Sequence, residues 1–374
     1  MSTSTAQGPL KGVRVLEFPA IGPAPFACML LADLGADVLR LDRPPEKAQQ
    51  VAYRGSGKHV VANRGRPALP LDLKSPEGRQ RALQLVAKAD VLVEGFRPGV
   101  MERLGLGPDA CLAANPALVY GRMTGWGQDG PLALAAGHDI NYIALAGPLH
   151  AIGPRGKPIP PLNVVGDFGG GSLYLAFGIV SALLEARGSG RGQVVDAAVV
   201  DGSASLLAMA FGRWSAGVWE DRRAANMLDG GMPWYDTYEC ADGRHVAVGA
   251  LEPQFYEELR AKLGGDLPDA REREKPELRE ALRAKLAAIF KGRTRDEWAA
   301  VFGDGDACVT PVLSMAEVAS HPHNRVRGVV VEIDGVPQPA PAPRFSRTPG
   351  AIQSAAGDEP ESGEAREQRW LAGR

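Results

Sequence analysis

The sequence has few of the features that mark metalloproteins, secreted proteins or nucleic-acid-binding proteins. Its 374 residues include four cysteines, and none form a CxxC pair, so zinc-ligand spacing and a disulfide framework are both missing. The net charge is −2 and the tyrosines and tryptophans follow no basic stripe, which argues against nucleic acid as a partner. Residues 1–8 show no basic region ahead of an apolar run, and the apolar stretch 173–184 is shorter than the roughly 20 residues that span a bilayer. We therefore expect a cytoplasmic protein with no membrane segment and no metal.

The first half of the chain alternates between strand and helix signals. Residues 13–18 alternate as a strand does, 26–34 have helical spacing, and 37–42 read as a second strand, an order typical of a parallel βαβ unit. Helices at 76–89 and 108–114 precede strands at 91–94 and 118–120. The turn after the first strand is Ile21-Gly22-Pro23-Ala24-Pro25 rather than GxGxxG, which argues against an NAD enzyme.

The second half begins with a glycine- and proline-rich stretch at 124–172, expected to be irregular and functional. A helix at 172–185, a strand at 193–196 and a helix at 202–214 follow. Beyond them, strands at 235–240 and 245–249 flank Asp242-Gly243, a hairpin signal, and helices are predicted at 253–263, 275–290 and 294–302. These patterns predict a large α/β domain over 1–215, completed by 330–374, and a small α+β domain over 225–325. The polar tail 355–367 is expected to be loose.

Eight segments carry a resemblance when they are taken in order: Pro9–Glu17, Leu31–Val38, Asp42–Pro44, Gly95–Val100, Met123–Gln128, Gly137–Tyr142, Gly166–Ser172 and Gly190–Asp196. Together they resemble the CoA-transferase class III (CaiB/BaiF) superfamily and, within it, the α-methylacyl-CoA racemases, over about residues 9–350. The resemblance implies a doubly wound, Rossmann-like large domain that binds CoA, a smaller α+β domain, and a homodimer of interlocked protomers.

Two regions depart from the family pattern. The segment Lys47–Pro70 is longer and more basic, with cations at Arg54, Lys58, His59, Arg64 and Arg66. We expect it to reshape the mouth of the CoA site. The tail beyond Pro349 has no counterpart in the pattern.

His138 and Asp167 are the predicted acid/base pair. A 1,1-proton transfer needs two groups on opposite faces of the α-carbon, one taking the proton and one returning it. A histidine holds a pKa near neutrality, and a carboxylate does so when it is partly desolvated. By itself, a loop histidine is more often structural, and an aspartate before a helix is often an N-cap; the family motifs favour catalytic roles for both. We expect the enolate oxygen to meet N–H groups around Asp167, where the glycines give access.

Glu252 matches the acidic residue that supports the histidine in the racemases. The resemblance implies that it meets His138 across the dimer interface, fixing the tautomer of the imidazole. Its position ahead of Pro253 also fits a helix N-terminus.

The resemblance further implies residues around the nucleotide of CoA. Arg43, Lys74, Arg97 and Arg103 match positions near its phosphates, and the planar guanidinium of an arginine is well suited to bind phosphate. Leu71 and Leu73 match positions that flank the adenine.

Together these features predict a racemase that interconverts (R)- and (S)-2-methylacyl-CoA thioesters through an enolate. The substrate brings its own coenzyme A, and no further cofactor or metal is expected. A class III CoA-transferase is the nearest alternative, in which Asp167 attacks the thioester as a nucleophile. A second alternative is not an enzyme: an acyl-CoA-binding protein that has the same fold but no catalytic activity.

Overall fold

The computed structural model describes residues 7–44, 57–303 and 305–373. The described chain forms two compact units. Unit 1 holds the residues up to Gly147, Leu162–Leu207 and those from Pro322 onward, and unit 2 holds Pro148–Pro161 and Ala208–His321.

The strands and helices have the following bounds. The strands are β1 (Arg14–Glu17), β2 (Asp37–Asp42), β3 (Ala68–Pro70), β4 (Val91–Glu94), β5 (Val119–Thr124), β6 (Val194–Ala198), β7 (Tyr235–Glu239), β8 (His245–Gly249), β9 (Val309–Pro311), β10 (Val330–Ile333) and β11 (Val336–Pro339). The α-helices are α1 (Pro23–Asp33), α2 (Pro76–Val86), α3 (Val100–Arg103), α4 (Pro108–Ala114), α5 (Asp139–Ala146), α6 (Pro148–Ala151), α7 (Leu173–Ser189), α8 (Val199–Ser205), α9 (Ala208–Ser215), α10 (Pro253–Leu263), α11 (Arg279–Phe290), α12 (Arg295–Phe302), α13 (Met315–Val318), α14 (Pro322–Arg327) and α15 (Gly363–Leu371). Short 3-10 helices lie at Gly57–His59, Val61–Asn63, Glu272–Glu274 and Pro276–Leu278, and a π-helical segment spans Val164–Ser172.

Unit 1 is built on a parallel sheet in the order β3-β2-β1-β4-β5-β6. The pairing of Arg14 with Asp37 in β1 and β2 is parallel, so the predicted βαβ unit is confirmed. Because both faces of the sheet are covered, its strands are apolar on both sides. The mixed α/β fold with a parallel sheet is therefore as expected from the alternating strand and helix signals.

Alternate residues of these strands enter two different hydrophobic cores. Val15, Val93 and Val119 pack with α1 and α7 on one face. Leu16 and Leu92 pack on the other face, with α2, α4 and the Trp370 side chain of α15. Since side chains alternate across a strand, each strand contributes to both cores, and helices lie on both sides of the sheet.

Unit 2 contains an antiparallel sheet in the order β7-β8-β9. The hairpin predicted around Asp242-Gly243 is present, with Tyr235 paired to Gly249 and Glu239 to His245. Helices α10, α11 and α12 supply its core through residues such as Tyr256 and Phe290. Unit 2 therefore combines an antiparallel sheet with helices that pack against it.

Three expectations about local structure are wrong. The stretch 124–172 is not irregular throughout, since it contains α5, α6 and the π-helical segment. The single helix predicted at 202–214 is divided into α8 and α9. The tail is not loose, because α15 buries the Trp370 indole in the core and the Arg366 guanidinium donates to the Val38 carbonyl at 2.7 Å.

The helical run Val164–Ser189 is longer than the apolar stretch recognised in the sequence. Its 26 residues are long and apolar enough to cross a membrane by length and composition, so the expectation that it is too short is wrong. Core helices of soluble proteins meet the same criterion, and Leu175, Ile179 and Leu183 of this run pack in the core of unit 1.

Candidate active site

The predicted site residues of unit 1 cluster at one edge of its sheet. In a parallel sheet the carboxyl ends of all strands meet at the same edge, where open α/β sheets bind ligands. Arg43 follows β2, Lys74 follows β3 and Arg97 follows β4. Asp167 reaches the same edge beside Gly22, in the turn after β1: a Cβ added to Gly22 would lie 3.3 Å from the Asp167 Oδ2 atom. Gly22 also has a φ of 70°, so a side chain here would be strained as well as crowded.

Asp167 lies inside the π-helical segment Val164–Ser172, which runs directly into α7. The sequence suggested that Asp167 could be the N-cap of that helix, and this expectation is wrong because the residue lies within the helical run. The Phe168 ring stacks on Phe26 of α1 with centroids 4.2 Å apart. The Ser172 hydroxyl donates to the Pro23 carbonyl at 2.7 Å. Contacts on both sides thus fix the segment against the start of α1.

The glycines after Asp167 allow a close crossing of two backbones rather than access for a ligand. A Cβ on Gly170 would lie 2.7 Å from the Ser203 amide nitrogen of α8, and one on Gly202 would overlap the Gly170 carbonyl. Gly171 faces Pro23 and Val199. The expectation that these glycines expose the backbone to a ligand is wrong for Gly170 and Gly171, because protein atoms already occupy the space.

The Asp167 carboxyl is half-buried, and its electrostatic surroundings favour the protonated form. Burial and the neighbouring Asp139 carboxylate raise the pKa of Asp167 to about 6, while a hydrogen bond from Asn163 and the His138 side chain oppose the rise. The second-largest cause is a like charge, which is a recognised route to a carboxyl that titrates near neutrality. Asp167 can therefore both accept and donate a proton under ordinary conditions.

Asp139 also occupies the amides that were expected to meet the enolate oxygen. Its Oδ1 atom accepts the Asp167 N–H at 2.6 Å, and the Gly166 N–H donates to the same carboxylate. The Phe168 N–H donates to the Asn163 carbonyl at 3.1 Å. These three amides are engaged within the protein, so the expectation of free donors around Asp167 is not met.

His138 is exposed at the N-cap of α5. The Asn141 Oδ1 atom accepts the His138 N–H at 3.0 Å, and the Asn141 N–H donates to the His138 carbonyl at 2.8 Å. This reciprocal pair fixes the backbone of the histidine. Because the His138 side chain lowers the pKa of Asp167, the two predicted acid/base residues lie within electrostatic range of each other.

Tyr142, one turn after His138, connects the segment Gly137–Tyr142 with the segment Met123–Gln128. Its hydroxyl donates to the Gly137 carbonyl, and its ring meets Trp126 edge-to-face with centroids 4.8 Å apart. A Cβ on Gly125 would overlap the Tyr142 ring, which explains the glycine there. Burial and the carboxylates of Asp167 and Asp139 raise the pKa of Tyr142, and Arg97 opposes this. Tyr142 and Asp139 both stand in the motif Gly137–Tyr142 that contains His138, although no sequence pattern assigns either of them a role.

The residues predicted to bind CoA fall into two groups. Arg43, Lys74, Arg97 and Arg103 are exposed, and no carboxylate pairs with Arg97 or Arg103 among the residues that the structure describes. Leu71 and Leu73 are 5% and 8% exposed and pack in the core with α2 and α15. The cations are thus available to an anionic ligand, whereas most of each leucine side chain is already covered.

The basic segment 47–70 is only partly a surface feature. Lys47 and Arg54 lie outside the described residues. Arg64 is 2% exposed and pairs with Asp33 at 2.5 Å, while Arg66 is fully buried against Glu17. These two guanidiniums cannot shape the mouth of the CoA site, because a buried charge is retained by its partner. They tie the segment to α1 and β1 instead.

Glu252 lies in unit 2, at the N-cap of α10, and is exposed. The backbone before it is held by Arg273, which no local sequence signal indicated. The Arg273 guanidinium donates to the Ala250 carbonyl at 2.7 Å and to the Leu251 carbonyl. It is sandwiched between Trp234 and Tyr256, at 4.4 and 4.3 Å from the ring centroids. Such stacking suits a planar guanidinium.

Residues 7–44, 57–303 and 305–373 contain no group of three or more histidine, cysteine, aspartate or glutamate side chains that could hold a metal ion. The site that this part of the chain forms consists of a half-buried carboxyl near a histidine, with exposed cations along the same sheet edge. It has the composition of an acid/base site that receives an anionic ligand.

Comparison with known proteins identifies the family. The model of CoA-transferase family III matches residues 10–366. The chain is 45% identical to mouse alpha-methylacyl-CoA racemase over 351 residues, 93% of this chain and 89% of the relative. It is 44% identical to the human protein of that name over 355 residues, 91% of this chain and 90% of the relative. The crystal structure of a CAIB/BAIF family protein from Brucella suis matches with a TM-score of 0.80 at 28% identity, covering 97% of this chain and 100% of that chain. The chain belongs to CoA-transferase family III.

Proposed function

We propose that this protein is an isomerase that interconverts (R)- and (S)-2-methylacyl-CoA thioesters by 1,1-proton transfer through an enolate. His138 and Asp167 are the acid/base pair, one on each face of the α-carbon. The observation that carries the proposal is the Asp167 carboxyl, whose pKa of about 6 lies close to neutral pH. The His138 side chain lies within electrostatic range of this carboxyl. A group with such a pKa is efficient in both directions of proton transfer. The 44–45% identity to two proteins named alpha-methylacyl-CoA racemase supports the choice of substrate.

The rest of the site follows from the same proposal. Glu252 of one protomer supports His138 of its partner, and Arg43, Lys74, Arg97 and Arg103 bind the phosphates of CoA. Leu71 and Leu73 flank the adenine with their small accessible surface. The reaction uses no metal and no cofactor, since coenzyme A arrives as part of the substrate, and it takes place in the cytoplasm with no membrane or nucleic acid as partner.

The architecture proposed for this reaction is a Rossmann-like, doubly wound large domain over 1–215, completed by 330–374, with a small α+β domain over 225–325. The strand order β3-β2-β1-β4-β5-β6 supports the first part, because this is the order of dinucleotide-binding sheets. An interlocked homodimer is supported by exposed apolar side chains on α7, where Leu173, Phe177, Val180 and Leu184 are 42–75% exposed. Large apolar patches of this kind mark protein interfaces.

The experiment that tests the function incubates one enantiomer of a 2-methylacyl-CoA with the protein in deuterated water. We expect deuterium at C2 by mass spectrometry, together with a decline toward an even mixture of enantiomers. The variants His138→Gln and Asp167→Asn remove one proton carrier each and should slow racemisation by about 10²–10⁴-fold, the usual contribution of a general acid or base.

Two other results would contradict the racemase. If no label enters C2 but CoA moves to an added free carboxylic acid, Asp167 is a nucleophile and the protein is a CoA-transferase. If the thioester binds and neither reaction occurs, the protein is an acyl-CoA-binding protein on the same scaffold.

A further inference from the structure

A buried carboxylate lies at the carboxyl end of β4, directly before the loop that carries Arg97. Glu94 has no exposed surface. Its Oε2 atom accepts the Phe96 N–H at 2.7 Å, and its Oε1 atom accepts the Arg122 Nε–H at 2.9 Å. Burial raises the pKa of Glu94 to about 7, although both donors oppose this. Burial of a carboxylate costs free energy of desolvation, and hydrogen bonds from specific partners offset that cost.

Arg122 extends the contact from Glu94 to the helix beyond the loop. It lies on β5, is 7% exposed, and its Nη1 and Nη2 atoms donate to Glu102 of α3 at 2.8 and 3.4 Å. The loop Gly95–Gly99 therefore lies between Glu94 and Glu102, which both accept hydrogen bonds from the Arg122 guanidinium. Gly95 itself packs closely, because a Cβ there would lie 2.9 Å from the Ala20 side chain. The backbone of the loop is fixed at both of its ends.

The same loop and helix present two exposed cations at the sheet edge. Arg97 lies within the loop, and Arg103 follows Glu102 in α3. A Cβ on Gly99 would lie 3.1 Å from the Arg103 Nη1 atom, so this side chain folds back over the loop. Long cationic side chains lose entropy when they bind, and a fixed backbone reduces that loss. The buried Arg122 is thus saturated by carboxylates, while the two exposed arginines face solvent.

We infer that Glu94, Arg122 and Glu102 form a positioning brace, which holds Arg97 and Arg103 where they meet the phosphates at the nucleotide end of a CoA thioester. The inference rests on the proposed function, in which those two arginines bind CoA. The three residues of the brace touch no substrate and take no part in proton transfer. Their effect is on affinity for the nucleotide end of the substrate.

The test compares two thioesters of the same 2-methylacyl group, one of coenzyme A and one of pantetheine, which lacks the nucleotide and its phosphates. Arg122→Lys keeps the charge but cannot bridge two carboxylates through a planar fork. We expect its KM for the CoA thioester to rise about three- to tenfold, the effect of weakening one or two hydrogen bonds. Its kcat, and both constants for the pantetheine thioester, should remain as in the unaltered protein.

Glu94→Gln provides a second variant of the same size, in which one of the two acceptor oxygens becomes an NH2 donor that faces either the Phe96 N–H or the Arg122 Nε–H. We expect the same rise in KM. The control is Arg295→Lys in unit 2, where an equally buried arginine forms a two-point pair with Glu317. This control should lower thermal stability without raising the KM for the CoA thioester relative to the KM for the pantetheine thioester.

Calorimetric titration with free coenzyme A and with pantetheine keeps the test independent of catalysis. A weaker Kd for coenzyme A alone supports the brace, even if the unaltered protein exchanges no deuterium and the proposed function fails. An unchanged Kd in both Arg122→Lys and Glu94→Gln overturns the brace and leaves the racemase untouched. An equal loss of affinity for coenzyme A and for pantetheine also overturns it, because a general structural role would affect both.

Discussion

Arginine is the residue type whose role in this chain depends most on its partners. Arg64 and Arg66 stand in the same basic segment of the sequence, yet both are buried in ion pairs with Asp33 and Glu17. Arg97 and Arg103 are exposed at the sheet edge. A sequence gives the charge of each residue but not its burial, which is fixed by elements far away in the chain. The family motif was therefore needed to select among these cations.

The residue-scale prediction concerns Asp139, whose carboxylate is the second cause of the raised pKa of Asp167. Asp139→Asn removes this negative charge but keeps a carbonyl oxygen for the Asp167 N–H. The pKa of Asp167 should fall, because ionisation is no longer opposed by a like charge. In the direction where Asp167 takes the proton, kcat/KM of the unaltered protein should decline as the pH falls through about 6, the pKa of this carboxyl. In the variant this decline should move to lower pH.

Profiles of kcat/KM against pH measure this shift. Asp109→Asn serves as the control, since it removes an exposed carboxylate from the first turn of α4 and should leave the profile in place. A decline at the same pH in Asp139→Asn would mean that burial alone sets the pKa of Asp167.

At the scale of helices and strands, the sequence is most informative where a regular apolar period ends at a turn or cap residue. The bounds of β2, β4 and α10 match the predicted ranges, because each has a regular apolar pattern that ends at a turn or cap residue. β3 and β9 were missed, since three residues are too few to show a period. The sequence of the π-helical segment predicts a loop and a helix cap instead, because its glycines serve a backbone crossing with α8 that no local pattern reveals.

That crossing gives the second prediction. Gly170→Ala places a Cβ 2.7 Å from the Ser203 amide nitrogen, so one backbone must move. Overpacking of this kind costs about 1–3 kcal/mol, and Asp167 lies in the same segment. We expect a lower thermal midpoint by calorimetry together with reduced racemisation.

Gly188→Ala in α7 is the matched control for this change. No atom lies within 4 Å of a Cβ at Gly188, and alanine is favoured over glycine inside a helix by about 1 kcal/mol. Its thermal midpoint should remain or rise. If the two variants melt alike, the crossing of Gly170 and Gly202 is looser than the geometry requires.

At the scale of the whole molecule, the division into two units separates the proposed catalytic groups. His138 and Asp167 belong to unit 1 and Glu252 belongs to unit 2. The sequence predicts a domain for each of them, because the two halves of the chain differ in their patterns of strands and helices. It could not show which surface joins one chain to another, since exposure is a property of the folded unit.

The exposed stripe on α7 gives the last prediction. Leu173, Phe177, Val180 and Leu184 recur at helical spacing, and Phe177 and Leu184 are 73% and 75% exposed. Covering such a stripe releases apolar surface from water, and a stable dimer buries about 800 Å² on each partner. We expect the protein to sediment at twice its chain mass of 39.5 kDa. Phe177→Asp should sediment as a monomer, because a charge would have to be desolvated in the interface.

Racemase activity should be lost with the dimer, since His138 would then lack Glu252 of the partner protomer. Lys88→Glu, a charge reversal at an exposed position just after α2, should remain dimeric and active. A monomeric but fully active Phe177→Asp protein would show that each chain completes its own site. A Phe177→Asp protein that still sediments as a dimer would show that another surface joins the protomers, and the stripe on α7 would then need a different partner.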